Sequence, residues 1–143
     1  MQTLEEENMS EFNFNSSVCT SIEQSKRLLA LGLKKETADM CWTKMARISG
    51  TYYVPELAPI NMVPWRHIPA WSLYRLIKMI PQIIGHLELA VNDMFVGYYE
   101  DRCESETGMY WEHTEESSNL YDNIILTIEW LIKGGYFNKE YLN

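Results

Sequence analysis

An alternation of apolar and polar residues over positions 87–99 constrains the fold more than any other feature of the chain. Apolar residues occupy every second position on both sides of Asn92-Asp93, which suits the two-residue turn of a hairpin. The pairs expected on the apolar face are Leu87 with Tyr98, Leu89 with Val96, and Val91 with Met94. Since side chains alternate with period two, a slip by one residue would exchange the two faces, so the pattern predicts both strands and their faces.

Helices are predicted before and after this hairpin. The first covers 72–80, with Ser72 as its N-cap. The second covers 119–133, with Ser117 or Ser118 as the cap. The second helix is apolar around most of its circumference, which indicates that it is buried, and we expect it to pack against the sheet.

The first part of the chain has weaker signals. Thr20 and Glu23 have the spacing of a capping box, and Gly32 is placed to end the helix that follows. Residues 41–54 mix β-branched and aromatic side chains and predict one or two strands. Four prolines at spacings of four and five then predict a stiff loop over 55–69.

These elements predict an α+β fold. A third strand over 109–113 would extend the hairpin to an antiparallel meander of three or more strands, packed against two or three helices. A chain of 143 residues is long enough for one self-sufficient core. We therefore expect a single α+β domain over 19–143, preceded by a mobile acidic tail over 1–18.

Charge is sorted along the sequence. Residues 20–80 contain nine Lys/Arg and four Asp/Glu, whereas residues 81–143 contain three Lys/Arg and twelve Asp/Glu. The net charge is −8. Such asymmetry indicates either a surface for a nucleic acid or another partner, or two segments that attract each other in the folded chain.

The cysteines and the absence of targeting signals indicate the compartment. Cys19, Cys41 and Cys103 are an odd number without CxxC spacing, which favours reduced thiols over a disulfide framework or a structural zinc site. The N-terminal residues lack the pattern of a signal peptide, and no apolar stretch approaches membrane-spanning length. We expect a soluble cytoplasmic protein without a membrane contact, a metal or a cofactor.

Catalytic motifs are not apparent. The sequence has no nucleophile elbow, P-loop or dinucleotide fingerprint, and no two histidines have metal-ligand spacing. If the three predicted strands pair in order, His86 would approach His113 near Glu112. A small hydrolase or nuclease that uses these three residues is therefore an alternative, and the site would require them to converge.

Two groups of residues are predicted to bind a partner. The loop around 63–71 carries tryptophan and arginine, the usual interface anchors, between prolines that limit the entropy lost on binding. Acidic residues near the third strand form the second group, although a solvated acidic face is the plainer interpretation. The predicted contact residues are Trp65, Arg66, His67, Trp71, Glu112, Glu115 and Glu116.

A nucleic-acid-binding domain is a further alternative. From Ser72 onward the predicted order is helix, strand, strand, strand, helix, which also occurs in double-stranded-RNA-binding folds. Basic residues within 26–78 are interleaved with aromatic ones, as suits single-stranded stacking. However, the last helix begins among Glu115, Glu116 and Asp122, where such a domain needs basic residues, so nucleic acid is the less favoured partner.

Three segments carry a resemblance to a known group of proteins. They are residues 23–33 with 37–40, residues 69–73 before the helix that ends at Pro81, and residues 129–132 before Gly134. The chain resembles small uncharacterised proteins of phages and mobile elements of gut bacteria. That group has no assigned activity, so the resemblance implies a phage context and an accessory role but identifies no functional residue.

Together these observations favour a non-enzymatic protein-interaction or regulatory accessory module of a phage or mobile element. Its partner would be a protein in the host-cell cytoplasm. Exposed-looking apolar faces also allow a homodimer.

Overall fold

Two antiparallel sheets and three α-helices make up the part of the chain that the structure, a computed structural model, describes: residues 17–101 and 109–143. The predicted α+β class is confirmed. Most of the predicted tail, residues 1–16, and Cys103 lie outside the described residues.

The helices and strands alternate irregularly along the chain. The elements are α1 Ile22–Ala30, β1 Met40–Arg47, β2 Gly50–Leu57, β3 His67–Ala70, α2 Leu73–Met79, β4 Ile83–Ile84, β5 Leu87–Asn92, β6 Phe95–Asp101, β7 Met109–Glu116 and α3 Leu120–Gly134. A 3₁₀ turn at Lys35–Thr37 precedes β1, and a second at Lys139–Tyr141 follows α3. The three-stranded sheet has the order β2-β1-β3 and the four-stranded sheet the order β4-β5-β6-β7.

Helix α1 begins one residue later than predicted. Ser21 is the N-cap: its hydroxyl accepts from the backbone N–H of Gln24, whose side-chain oxygen accepts from the N–H of Ser21. Thr20 is instead buried, and its hydroxyl accepts from the N–H of Trp71. The predicted end of the helix is confirmed, since Gly32 has a φ of 103°, which favours glycine.

The loop predicted over 55–69 is wrong at both ends. Pro55 lies within β2, and Pro69 lies within β3. Both strands are at the edges of their sheet, where the missing N–H of proline does not interrupt a ladder between two neighbours. The irregular connection is therefore confined to the residues between β2 and β3, and Trp65 lies just before β3.

The hairpin forms with the predicted faces but a different turn. Asp93-Met94 is the turn, so Leu89 pairs with Tyr98 rather than with Val96. The partners shift by two residues, and a shift by two leaves every side chain on its predicted face. The cause is local, because the side-chain oxygen of Asn92 accepts from the N–H of Met94 at 2.9 Å.

The predicted meander is confirmed and is longer than expected. β4 adds a fourth strand, and β7 extends three residues beyond the predicted end at position 113. The pairing is irregular at Glu112, because Tyr98 is opposite His113 whereas Tyr99 is opposite Trp111. Glu112 is the extra residue of this β-bulge.

Helix α3 packs against the four-stranded sheet as predicted. Its N-cap is Asn119 rather than a serine, since the Asn119 side chain accepts from the N–H of Asp122, whereas Ser117 bonds the side chain of Asn123. The largest fully buried side chains of the core include Leu28, Leu33, Trp71, Leu76, Val96, Tyr98, Ile124, Ile125, Ile128 and Leu131. None of the helices in the described part is long and apolar enough to cross a bilayer.

Candidate contact surfaces

The strands of the two sheets differ in charge. Lys44 and Arg47 lie in β1, Arg66 immediately precedes β3, and Glu56 of β2 is the one carboxylate in β1 to β3. By contrast, the described strands β4 to β7 contain no Lys or Arg. One ion pair, Arg27 with Glu129 at 3.5 Å, joins α1 to α3. Within residues 17–101 and 109–143, none of the three basic residues near β1 forms an ion pair, so the charges of the two sheets do not neutralise each other there.

Trp65, two residues before β3, has an exposed side chain. It is 75% exposed, and the neighbouring Arg66 is also exposed. The carbonyl of Arg66 accepts from the N–H of Lys44 at 2.8 Å, which continues the ladder between β1 and β3 by one residue. A shallow groove of about 500 Å³ runs beside the tryptophan and is lined by Lys44, Met45, Ala46, Thr51, Trp65 and Arg66. We call these six residues the Trp65 surface.

A tight turn fixes the backbone that carries Trp65. The carbonyl of Val63 accepts from the N–H groups of Arg66 and His67, at 3.1 and 2.8 Å. The Nδ1 atom of His67 in turn accepts from the N–H of Val63 at 3.1 Å. The half-buried His67 therefore positions the turn, and its contact with a partner stays a prediction.

Trp71 does not belong to this surface, so its prediction as a contact residue is wrong. Its side chain is fully buried, and its indole N–H donates to the hydroxyl of Thr37 at 2.9 Å. Strand β3 separates Trp71 from Trp65 and carries the chain into the core. The available signal was its place directly before the N-cap Ser72, where an apolar residue commonly packs against the first turn of the helix.

Two tyrosines of β2 also contribute to the basic side of the molecule and were not singled out from the sequence. Tyr53 lies opposite Lys44 in the pairing of β1 with β2 and is 39% exposed. The guanidinium of Arg47 lies over the ring of Tyr52, 4.3 Å from its centroid. No clear pattern in the sequence marks this arrangement, since Lys44 and Arg47 are three residues apart and Tyr52 and Tyr53 are adjacent.

The three predicted acidic contact residues do not form one patch. Glu112 occupies the bulge and is exposed. Glu116 is exposed and lies opposite Phe95, whereas Glu115 is half-buried and lies opposite Val96, a core residue. Adjacent strand residues face opposite sides of a sheet, so Glu115 and Glu116 cannot face the same partner surface.

His113 is packed between β7 and α3. Its ring stacks on Trp130 with centroids 4.4 Å apart, and its Nε2 atom lies 3.5 Å from the hydroxyl of Thr127 and 3.6 Å from a carboxylate oxygen of Glu115. Burial lowers the pKa of His113, and the charge of Glu115 opposes this shift. These contacts make it a core-facing histidine of the sheet.

The structure does not bring together His86, His113 and Glu112, the three residues of the hydrolase alternative. His86 is exposed and precedes β5, two strands away from His113. Leu89, Tyr98 and His113 lie opposite one another across β5, β6 and β7. His86 is three residues before Leu89, so it is displaced from His113 by about 10 Å along the strand direction. In the described residues, no group of three or more His, Cys, Asp or Glu is placed to hold a metal ion.

Cys19 is also unsuited to nucleophilic chemistry. It is buried and free, as is Cys41. Burial, with the nearby Asp39 carboxylate, raises the pKa of Cys19 to about 11. A thiol with this pKa is almost entirely protonated at neutral pH, and the thiolate is the reactive form.

Comparison of the chain with models of protein families, with curated proteins and with solved structures finds no match. A functional assignment therefore rests on the residues of the two sheets.

Proposed function

We propose that this protein is a non-enzymatic interaction module that binds an acidic segment of a protein partner through the Trp65 surface. We further propose that it serves as an accessory factor of a phage or mobile element in the host-cell cytoplasm, as the resemblance noted above implies. The observation that carries the proposed binding is the 75% exposure of Trp65 beside the charged side chains of Lys44 and Arg66.

Energetic and entropic arguments both support this surface. An exposed tryptophan contributes nothing to the core. At interfaces, however, tryptophan and arginine are enriched among the hot-spot residues, whose truncation costs about 2 kcal/mol or more. The turn that carries Trp65 is fixed by three hydrogen bonds to Val63 and by adjacent Pro64. Binding therefore orders little backbone, which lowers its entropic cost.

The charge of the Trp65 surface indicates which kind of partner segment it would bind. Lys44 and Arg66 are the charged residues of the Trp65 surface, so its local charge is positive although the chain carries −8 in all. In physiological salt the Debye length is about 8 Å, so a docked partner experiences mainly the nearby charges. An acidic peptide segment with at least one apolar side chain matches both the cations and the indole.

A single-stranded nucleic acid is the second candidate partner. Aromatic rings at Trp65 and Tyr53 next to Lys44 and Arg66 are the components of a stacking surface for bases and phosphates. The net charge of −8 opposes the long-range attraction on which most such proteins depend, which is why an acidic protein segment is preferred.

The proposal is tested by fluorescence anisotropy with two labelled probes, a peptide of alternating glutamate and leucine and a single-stranded oligothymidylate. The double variant Trp65→Ala/Arg66→Ala is expected to bind the peptide at least tenfold more weakly than the wild type. The matched control is Tyr74→Ala/Lys78→Ala, which removes another exposed aromatic ring with a cation over it. Its affinity is expected to stay within twofold.

The two candidates give different results in the same experiment. Tighter binding of the oligothymidylate, lost in the Trp65/Arg66 variant and falling steeply with salt, contradicts the acidic-protein proposal in favour of nucleic acid. Equal loss of peptide binding in both double variants would show that the effect is not specific to the Trp65 surface.

A further inference from the structure

The outer face of the four-stranded sheet, which points away from α3, carries a second aromatic group. Trp111 contacts Phe95 edge to face with centroids 4.9 Å apart, and it contacts Tyr99 at 5.2 Å. Trp111 itself is 38% exposed. We call Phe95, Gly97, Tyr99 and Trp111 the Trp111 face.

Gly97 allows the rings to approach the backbone of the strands closely. A Cβ atom at this position would come within 2.7 Å of the Phe95 ring, 3.1 Å of the Trp111 ring and 2.8 Å of the backbone oxygen of His113. Gly97 is buried although it lies on the outer face. The rings therefore cover the centre of the sheet and form a continuous aromatic surface above it.

Carboxylates border this aromatic surface. Glu88 accepts from the hydroxyl of Tyr99 at 3.2 Å, so its carboxylate lies at one edge of the rings. Glu116 lies opposite Phe95 at the other end. Because the described strands β4 to β7 contain no Lys or Arg, no cation of the sheet itself neutralises these groups.

We propose that the Trp111 face is a docking surface for an arginine-rich segment of a protein partner. The argument is charge complementarity: an open aromatic face flanked by carboxylates attracts a cation, and the planar guanidinium both stacks on a ring and binds a carboxylate with two hydrogen bonds. Lysine lacks the planar group, so it cannot make the stacked and bidentate contacts of arginine. This inference does not depend on the Trp65 surface.

The test uses isothermal titration with a peptide of alternating arginine and glycine, and the same peptide with citrulline in place of arginine. Trp111→Ala is expected to weaken arginine-peptide binding at least fivefold, whereas Trp111→Phe keeps a ring and stays within twofold. Glu88→Gln should weaken binding about threefold. Glu140→Gln, an equal charge change at an exposed site on the last turn, is the matched control and should change affinity less than twofold.

Three results would overturn the proposal. They are no arginine-peptide binding at millimolar concentration, equal binding of the citrulline peptide, and equal effects of Trp111→Ala and Glu140→Gln. Sedimentation adds a fourth: a dimer of the wild type that dissociates in Trp111→Ala would assign the face to a second copy of this chain. Glu88→Gln, at an exposed site, keeps the test decisive if Trp111→Ala fails to fold.

Discussion

The two sheets of this protein differ in both packing and charge. The four-stranded sheet is covered on one face by α3, whose Ile124, Ile125 and Ile128 are fully buried, and its strands carry only negative charges in the described residues. The three-stranded sheet is covered mainly near β3, and the end of its β1–β2 hairpin, with Ile48 fully exposed, extends into solvent and is basic. Net charge alone is therefore a poor guide to partners, because each sheet presents its own potential.

The largest effect on stability is expected at Trp71, which we compare with Trp65 in the same segment before α2. Trp71→Ala removes a fully buried indole and its hydrogen bond to Thr37, and should lower the free energy of unfolding by about 3–5 kcal/mol. Trp65→Ala, at an exposed site, should change it by no more than about 0.5 kcal/mol. Urea denaturation of both variants measures the difference, and similar losses would show that Trp65 is also part of the core.

A smaller effect is expected at the centre of the acidic sheet. Gly97→Ala places a methyl group against two rings and a backbone oxygen, and should cost about 1–3 kcal/mol in the free energy of unfolding. The matched control is Thr114→Ala, because Thr114 lies opposite Gly97, in β7, and is exposed. This substitution should be nearly neutral. Thermal unfolding compares them, and a neutral Gly97→Ala would contradict the close seating of the rings.

The pH dependence of stability should depend on His113. Burial lowers its pKa below the ordinary value of 6.5, so below that pH the unfolded state takes up a proton that the folded state does not. The wild type should therefore lose stability as the pH falls through 6.5 more steeply than His113→Gln. Urea midpoints at a series of pH values measure this, and parallel curves for the two proteins would contradict it.

The smallest effect concerns the contact between the oppositely charged halves. Arg27→Ala breaks the partly exposed ion pair with Glu129 and should cost about 0.2–1 kcal/mol, less in high salt. Glu129 keeps its second partner, Lys133, so no charge is left alone. A cost above about 2 kcal/mol in urea denaturation would mean that attraction between the halves stabilises the fold.

The sequence predicts elements and faces better than it predicts contacts. Alternation over 87–99 gave the correct faces because a shift by two residues preserves them, but the Asx-type turn at Asn92 moved the register. Prolines predicted irregular backbone, yet edge strands accept Pro55 and Pro69.

The candidate surfaces were only partly predictable for the same reason. Trp65 and Trp71 are six residues apart in similar contexts, and only the path of β3 separates an exposed ring from a buried one. The Trp111 face depends on which rings meet across β6 and β7, and the bulge at Glu112 decides this. Neither a strand path nor a bulge leaves a clear pattern in a single sequence.

The central claim is that the two sheets bind partners of opposite charge, and the indole N–H resonances test it most directly. The five tryptophans give five signals, of which Trp42 and Trp71 donate internally. A glutamate-rich peptide should shift the signal of Trp65, and an arginine-rich peptide should shift that of Trp111, with the other indoles nearly unchanged. If both peptides shift the same indole, or neither shifts any, the two-surface account is wrong.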